Sequence, residues 1–432
     1  MSVRTDPDRK TPGALLMAAG LLLGPLVPPP AGAVQADSVP PSVQEILERP
    51  GMSEAQRYIV AHRDHAARML VEIGGIVSPS GQEQQRAEAV AAHMRRIGLR
   101  EVRVDGSPNA VGVLPGRSDR ALVFIATLDD LATVAGHQRA AGRPPRIDGD
   151  RVVGPGTNTS SITAAMLLAA EALAASGVEP PHDLVFAAVA QEETGLVGMR
   201  VLHQEWSDRA LAFIDILGDG RSITYGALGI HWWKVVASGP GGHSLGGGLP
   251  NVNQGIGRAV DRILQLPQPA EHADRRTVIN IAQVHSGSVY NHKPESGWFS
   301  LDIRSLDAGV IEEIEEDVRS ILSGVGEDTG VAFRMEPFQI TPGGQIPGLA
   351  EAPLVERAAD ISRYLGHEPR LSDSGSSNMN VAIGAGSPAI GLGGSRGGAR
   401  GQPEEWADIP AMLRAARHVA LLAGLEEVFP GR

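Results

Sequence analysis

Short apolar runs alternate with helical periods along most of the chain. Residues 121–128 (ALVFIATL), 184–190 (LVFAAVA), 212–217 (AFIDIL) and 388–392 (PAIGL) are nearly unbroken apolar segments. That is the pattern of strands buried on both faces of a parallel sheet. Between them lie helical signals. Ser53-Glu-Ala-Gln56 reads as a capping box opening a helix to about Ile73, and Ser80-Gly-Gln-Glu83 as a second, ending at Gly98. The alternation over 102–113, broken by Ser-Pro-Asn, predicts a β-hairpin. Gly154-Pro-Gly156 turns the chain into small polar residues 157–163, which open an apolar helix closing near Gly177. Segments 354–365 and 410–423 predict two further helices.

The period changes in the middle. Segments 232–237, 278–284 and 298–303 read as strands of an antiparallel sheet, with helices at 253–264 and 308–322. The order predicts an α/β unit, discontinuous over 37–228 and 340–432, interrupted by a smaller α+β unit over 229–339.

Composition narrows the possibilities. A length of 432 residues is ample for two domains. The formal net charge of −12 and the lack of a dense basic stretch argue against a nucleic-acid partner. Cysteine is absent, which excludes disulfides, thiolate metal sites and a cysteine nucleophile. The start reads as an export signal. Arg4, Arg9 and Lys10 precede an apolar stretch at 14–27, followed by small residues ending at Ala33 and Ala36. Segment 1–36 is therefore expected to be removed and the mature chain to be periplasmic or extracellular, with no stable membrane span.

The chemistry concentrates where the second apolar run ends, at Glu192 and Glu193. Ligands of open α/β sheets sit outside the carboxyl ends of the strands. Adjacent carboxylates there can serve as general base and metal ligand. Around them stand Gly154-Pro-Gly before a helix, Gly239-Pro-Gly-Gly-His243-Ser with Asn251 beyond, Asp302-Ile-Arg304-Ser, Gly375-Ser-Ser-Asn-Met-Asn380 and a Gly-rich segment before Glu405-Trp406. In this order the motifs resemble the zinc peptidase family of aminoacylases, carboxypeptidase G and succinyl-diaminopimelate desuccinylase. The resemblance implies a three-layer peptidase-type α/β domain with a mainly parallel central sheet, plus an inserted α+β dimerisation (lid) domain. It implies a homodimer, two zinc ions bridged by a carboxylate, and a Glu acting as general base.

Residue by residue, the resemblance assigns Glu192 to the general base and Glu193 to a zinc ligand. Asp129 matches the aspartate that orients a histidine ligand, but the histidine position holds Thr127. The bridging aspartate falls on Thr159, or on Asn158 in a register shifted by one, another acidic ligand on Leu217, and the last histidine on Arg400. Four of five ligands are thus replaced, so no zinc cofactor is expected. Arg400 is expected to pair with Glu192 or Glu193 where zinc would otherwise sit. His243, Asn251 and Arg304 match positions that grip the carbonyl and carboxylate of a peptide or N-acyl-amino acid. Their structural alternatives are a loop cap for His243, a helix N-cap for Asn251 and a pair with Asp302 for Arg304.

Three functions remain open. One is an exported protein that binds a peptide or N-acyl-amino acid without catalysis. The second is a metal-independent hydrolase with Glu192 as base and Arg400 or His243 as electrophile, or with Thr127, Thr159, Ser160 or Ser161 as nucleophile. The third is a rebuilt weak metal site that recruits His137.

Overall fold

The computed structural model describes residues 39–266 and 275–430. The expected export segment lies outside the described residues. An eight-stranded mixed sheet forms the larger layer. Its strand order is Arg100–Val104, Ala110–Leu114, Asp183–Val189, Ala121–Thr127, Ala210–Ile216, Ala389–Gly393, Ser222–Thr224 and Arg370–Ser372. The centre is parallel: Ala121–Thr127 lies between Asp183–Val189 and Ala210–Ile216, and Ala389–Gly393 continues in the same direction. Antiparallel pairing enters through the hairpin at one end and through Ser222–Thr224 at the other.

The apolar runs become strands because both faces of the sheet are covered. Every residue of Ala121–Thr127 and Ala210–Ile216 is buried. On one face lies the helix Thr157–Ala175, whose first fourteen residues are all buried. It packs against the helices Met52–Ala61, Arg63–Gly74 and Ile409–Leu422. A helix apolar all round belongs inside a domain, as this one does.

Two expected caps are not caps. The helix from Ser53 is two helices, Met52–Ala61 and Arg63–Gly74, broken at His62, and Gly51 occupies the N-cap with φ 81°. Ser53 Oγ instead donates to the Leu47 carbonyl at 3.0 Å. The helix Gln84–Ile97 has no side-chain cap, because Ser80 and Glu83 bond elsewhere, as described below. Several helices carried no recognised signal, among them Ala132–Ala141 and Val197–Trp206. His137 therefore lies on a helix rather than in a loop.

The middle of the chain forms a five-stranded antiparallel sheet. Its strands are Val278–Asn280, Val284–Ser286, Ser296–Ser305, Gly229–Ser238 and Ala332–Thr341. The helices Val252–Leu264 and Ala308–Thr329 cover one face, closing a core around Val235, Phe299, Leu301 and Val318. Alternation sends Trp232, Trp298, Asp302 and Arg304 to the other face. The chain leaves the eight-stranded sheet after Ser222–Thr224 and returns to it at Arg370–Ser372.

Candidate functional site

The strand Asp183–Val189 ends in a loop whose shape is set by three groups beneath it. Gln191 takes a left-handed conformation, φ 56°, and so does Leu196, φ 58°. Such backbone is uncommon away from glycine and clusters where a loop must present side chains. Asp129, fully buried, accepts hydrogen bonds from the amides of Glu192 at 2.9 Å and Glu193 at 3.0 Å. The Ser80 hydroxyl donates to the same carboxylate at 2.5 Å. Glu83 Oε1 accepts from the amides of Gln191 at 3.0 Å and Gly81 at 2.8 Å. The capping-box residues expected at 80–83 therefore fix the loop that carries Glu192 and Glu193. Asp129 acts through backbone amides and does not line the pocket.

The far end of the loop is tied to the hairpin. Asn109, fully buried, accepts from the Ala190 amide at 3.0 Å and donates to the Gly198 carbonyl at 2.9 Å. A Cβ on Gly198 would lie 2.2 Å from Asn109 Oδ1, so only glycine fits there.

The helix Thr157–Ala175 brings Thr159 to the site. The buried Glu405 carboxylate sits at its start and accepts from the amides of Gly156 at 3.0 Å and Asn158 at 2.9 Å. A negative charge there satisfies unpaired helix amides and complements the helix dipole. The other Glu405 oxygen holds the Gly401 amide at 3.0 Å, next to Arg400. Ala399, with φ 52°, turns the chain just before Arg400.

These elements enclose a cavity of about 290 Å³ lined by Thr127, Thr159, Glu192, Glu193 and Leu217, with Ser376, Ser377, Arg396 and Arg400. The five motif positions at which the resemblance places zinc ligands thus converge on one pocket. Arg400 Nη2 lies 2.6 Å from Glu193 Oε1. Their side chains are 44% and 22% exposed, so the pair sits toward solvent and is partly screened.

Burial and the neighbouring Glu193 charge push the Glu192 carboxyl up to about 8. Burial raises Glu193 as well, opposed by Arg400. Asp215, wholly buried behind the pocket, is raised by burial to about 6, and its Oδ2 accepts from the Met379 amide at 3.2 Å. Arg396, half-buried, is lowered to about 10 by burial and by Arg400.

The remaining expected residues stay on the antiparallel unit and do not line this cavity within one chain. His243 is exposed on the two-residue strand Gly242–His243, where Nδ1 accepts from the Leu245 amide at 3.2 Å. Asn251 is the N-cap of Val252–Leu264, accepting from the Asn253 amide at 3.0 Å. Arg304 donates to Asp302 through Nε at 3.0 Å and Nη2 at 3.1 Å. Asp219, near the strand tip, is held by Arg414 at 3.0 Å and Arg221 at 3.1 Å.

Sequence reasoning did not single out Arg396; it read Asn109 as part of a turn and Ser80 and Glu83 as a helix cap, and gave Ser376 and Ser377 no role of their own within the Gly375–Asn380 motif. Arg396 stands four residues before Arg400 in the same Gly-rich segment, a signal that could have found it.

Known proteins resemble the chain in sequence and in fold. A succinyl-diaminopimelate desuccinylase of Corynebacterium glutamicum is 27% identical over 329 residues, spanning 74% of this chain and 85% of that protein. Among solved structures, the aminopeptidase PepT of Bacillus cereus superposes with a TM-score of 0.68 at 18% identity, covering 85% of this chain and 98% of the other. The YXEP protein of Bacillus subtilis, a dinuclear metal binding peptidase, gives 0.61 at 15% identity over 84% of this chain and 98% of its own. At such identities the likeness establishes the fold. The model of peptidase family M20/M25/M40 matches residues 133–424, and with more than half of its length covered the chain belongs to that family.

Proposed function

We propose that this chain binds a peptide or N-acyl-amino acid in the Glu192 pocket without the two-zinc chemistry its motifs would otherwise imply. The observation that carries this reading is the Arg400–Glu193 contact at 2.6 Å inside a cavity also lined by Thr127, Thr159 and Leu217. Zinc takes three or four nitrogen, sulfur or carboxylate ligands. These five positions offer one carboxylate, already paired, two hydroxyls, an isobutyl group and a guanidinium. Hydroxyls are poor zinc ligands at neutral pH, and arginine keeps its proton. The donor set does not suit two zinc ions, and the positive charge of Arg400 stands in their place.

The test combines metal content with binding. Protein purified from zinc-supplemented growth should carry no stoichiometric zinc. N-acetylglycine or a dipeptide should raise the melting temperature, equally with and without a chelator, because a ligand of the native state stabilises it. Two bound divalent cations per chain, with a peptidase rate that chelation abolishes and zinc restores, would overturn the reading.

A metal-independent hydrolase is the second reading, and the Glu192 carboxyl gives it a definite signature. A general base must be deprotonated, and Glu192 loses its proton only near pH 8. Chelator-insensitive turnover that climbs through that pH and vanishes in Glu192→Gln, with binding retained, would favour it.

Two further parts of the proposal concern assembly and export. The antiparallel unit pairs two copies in a two-fold dimer that brings His243 of one to the pocket of the other, which light scattering and His243→Ala binding would check. Export predicts a mature N-terminus at Val34 or Asp37, read by sequencing the secreted protein.

A further inference from the structure

Two arginines could receive a ligand carboxylate, and their surroundings differ. Arg304, the position the motifs point to, already spends its fork on Asp302, with three contacts between 3.0 and 3.2 Å. Arg396 lines the cavity beside Glu192, and among the described residues no side chain or carbonyl accepts a hydrogen bond from its guanidinium. An unpaired cation in a partly desolvated site is costly, and an anion relieves that cost.

Among the described residues, the nearby carboxylates of Glu192, Glu193 and Glu405 draw on the Arg396 charge without hydrogen-bonding it. Glu193 is held by Arg400. The exposed Ser376 hydroxyl lines the cavity as well, as does Thr159, whereas Ser377 is buried toward Asp215. Thr127 Oγ1 accepts from Asn378 Nδ2 at 3.3 Å, which leaves its own hydrogen free to donate. One cation and several hydroxyl donors thus surround a small space, the donor set a carboxylate needs.

We infer that Arg396 receives the carboxylate of a small N-acyl-amino acid inside the cavity, so that the ligand enters with its acid end where metal ions would lie in a two-zinc relative. This assignment rests on the binding function proposed above and names the recognising group. It reverses the orientation the motifs imply, in which the carboxylate meets Arg304 and the amide faces the centre. A ligand so placed presents no scissile bond to Glu192.

Isothermal titration at pH 7 with N-acetylglycine and its neutral counterpart N-acetylglycinamide tests the inference. The acid should bind at least about tenfold more tightly than the amide, the scale of a charge-assisted contact. Arg396→Gln should erase that difference, Arg396→Lys should keep part of it, and Arg304→Gln should leave it unchanged. Equal binding of acid and amide to the native protein overturns the inference while the binding function stands. Binding of neither overturns both. Loss of the acid preference in Arg304→Gln but not in Arg396→Gln returns the carboxylate to Arg304, and inorganic phosphate binding as tightly as the acid replaces carboxylate recognition by a general oxyanion site. The acid–amide comparison uses unmodified protein, so it holds even if a variant fails to fold.

Discussion

At the scale of single residues, the pocket is a set of exchanged charges. Glu192 binds a proton on folding, since its carboxyl rises from 4.5 to about 8. Its contribution to stability is therefore full below about pH 4.5 and is lost as pH rises toward 8. Glu192→Gln needs no proton, so thermal melts across pH 5–8 should show the variant gaining on the native protein, by about 1–2 kcal/mol at the upper end after solvent screening. Arg400→Ala should cost no more than about 1 kcal/mol in urea denaturation, because the pair it breaks is partly exposed. Arg400→His alone should take up no zinc, since one imidazole and Glu193 are too few ligands. The combination with Thr127→His, Thr159→Asp and Leu217→Asp should bind zinc, measured by titration calorimetry. These positions were legible in the sequence because their flanks keep the motif order. Arg396 was not, because its importance lies in lacking a partner, and a sequence does not show pairing.

At the scale of elements, the site depends on buried acceptors that hold loops rather than touch ligand. Asp129 takes two backbone amides and a hydroxyl. Asp129→Asn turns part of that acceptor into a donor facing donors, so it should lower unfolding free energy by about 1–3 kcal/mol and weaken N-acetylglycine binding together. Glu405→Gln at the start of Thr157–Ala175 should behave alike, losing the charge that complements the helix end. Local pattern reading found the strands, since continuous apolar runs have few other homes. It misassigned Ser53, Ser80 and Glu83 because a cap and a tertiary acceptor use the same side chains. Only the neighbour in space decides between them. Asn251 shows the opposite outcome, where a residue matched to ligand contact serves as an N-cap.

At the scale of the whole molecule, the apolar runs and the change of period foretold two kinds of sheet. The strand Ala332–Thr341 was not foretold, because its exposed Phe338 and the Pro337 bulge blur alternation. The eight-stranded sheet is assembled from distant parts of the chain. Ala389–Gly393 pairs in parallel with Ala210–Ile216, so the first strand of that pair waits for the whole antiparallel unit to be made before its partner arrives. Until then its edge is an unsatisfied row of amides and carbonyls, the kind that recruits other chains. A chain ending at residue 385 should therefore form aggregates on light scattering, whereas removal of the last two residues should not. Glu192 emerges from the ribosome long before Arg396 and Arg400, and a nascent chain carries the acids without their counter-charges. The pocket's cations are thus the last of its charges to be made during synthesis, and a stalled translation product would have most of the scaffold around an acidic, uncompensated centre.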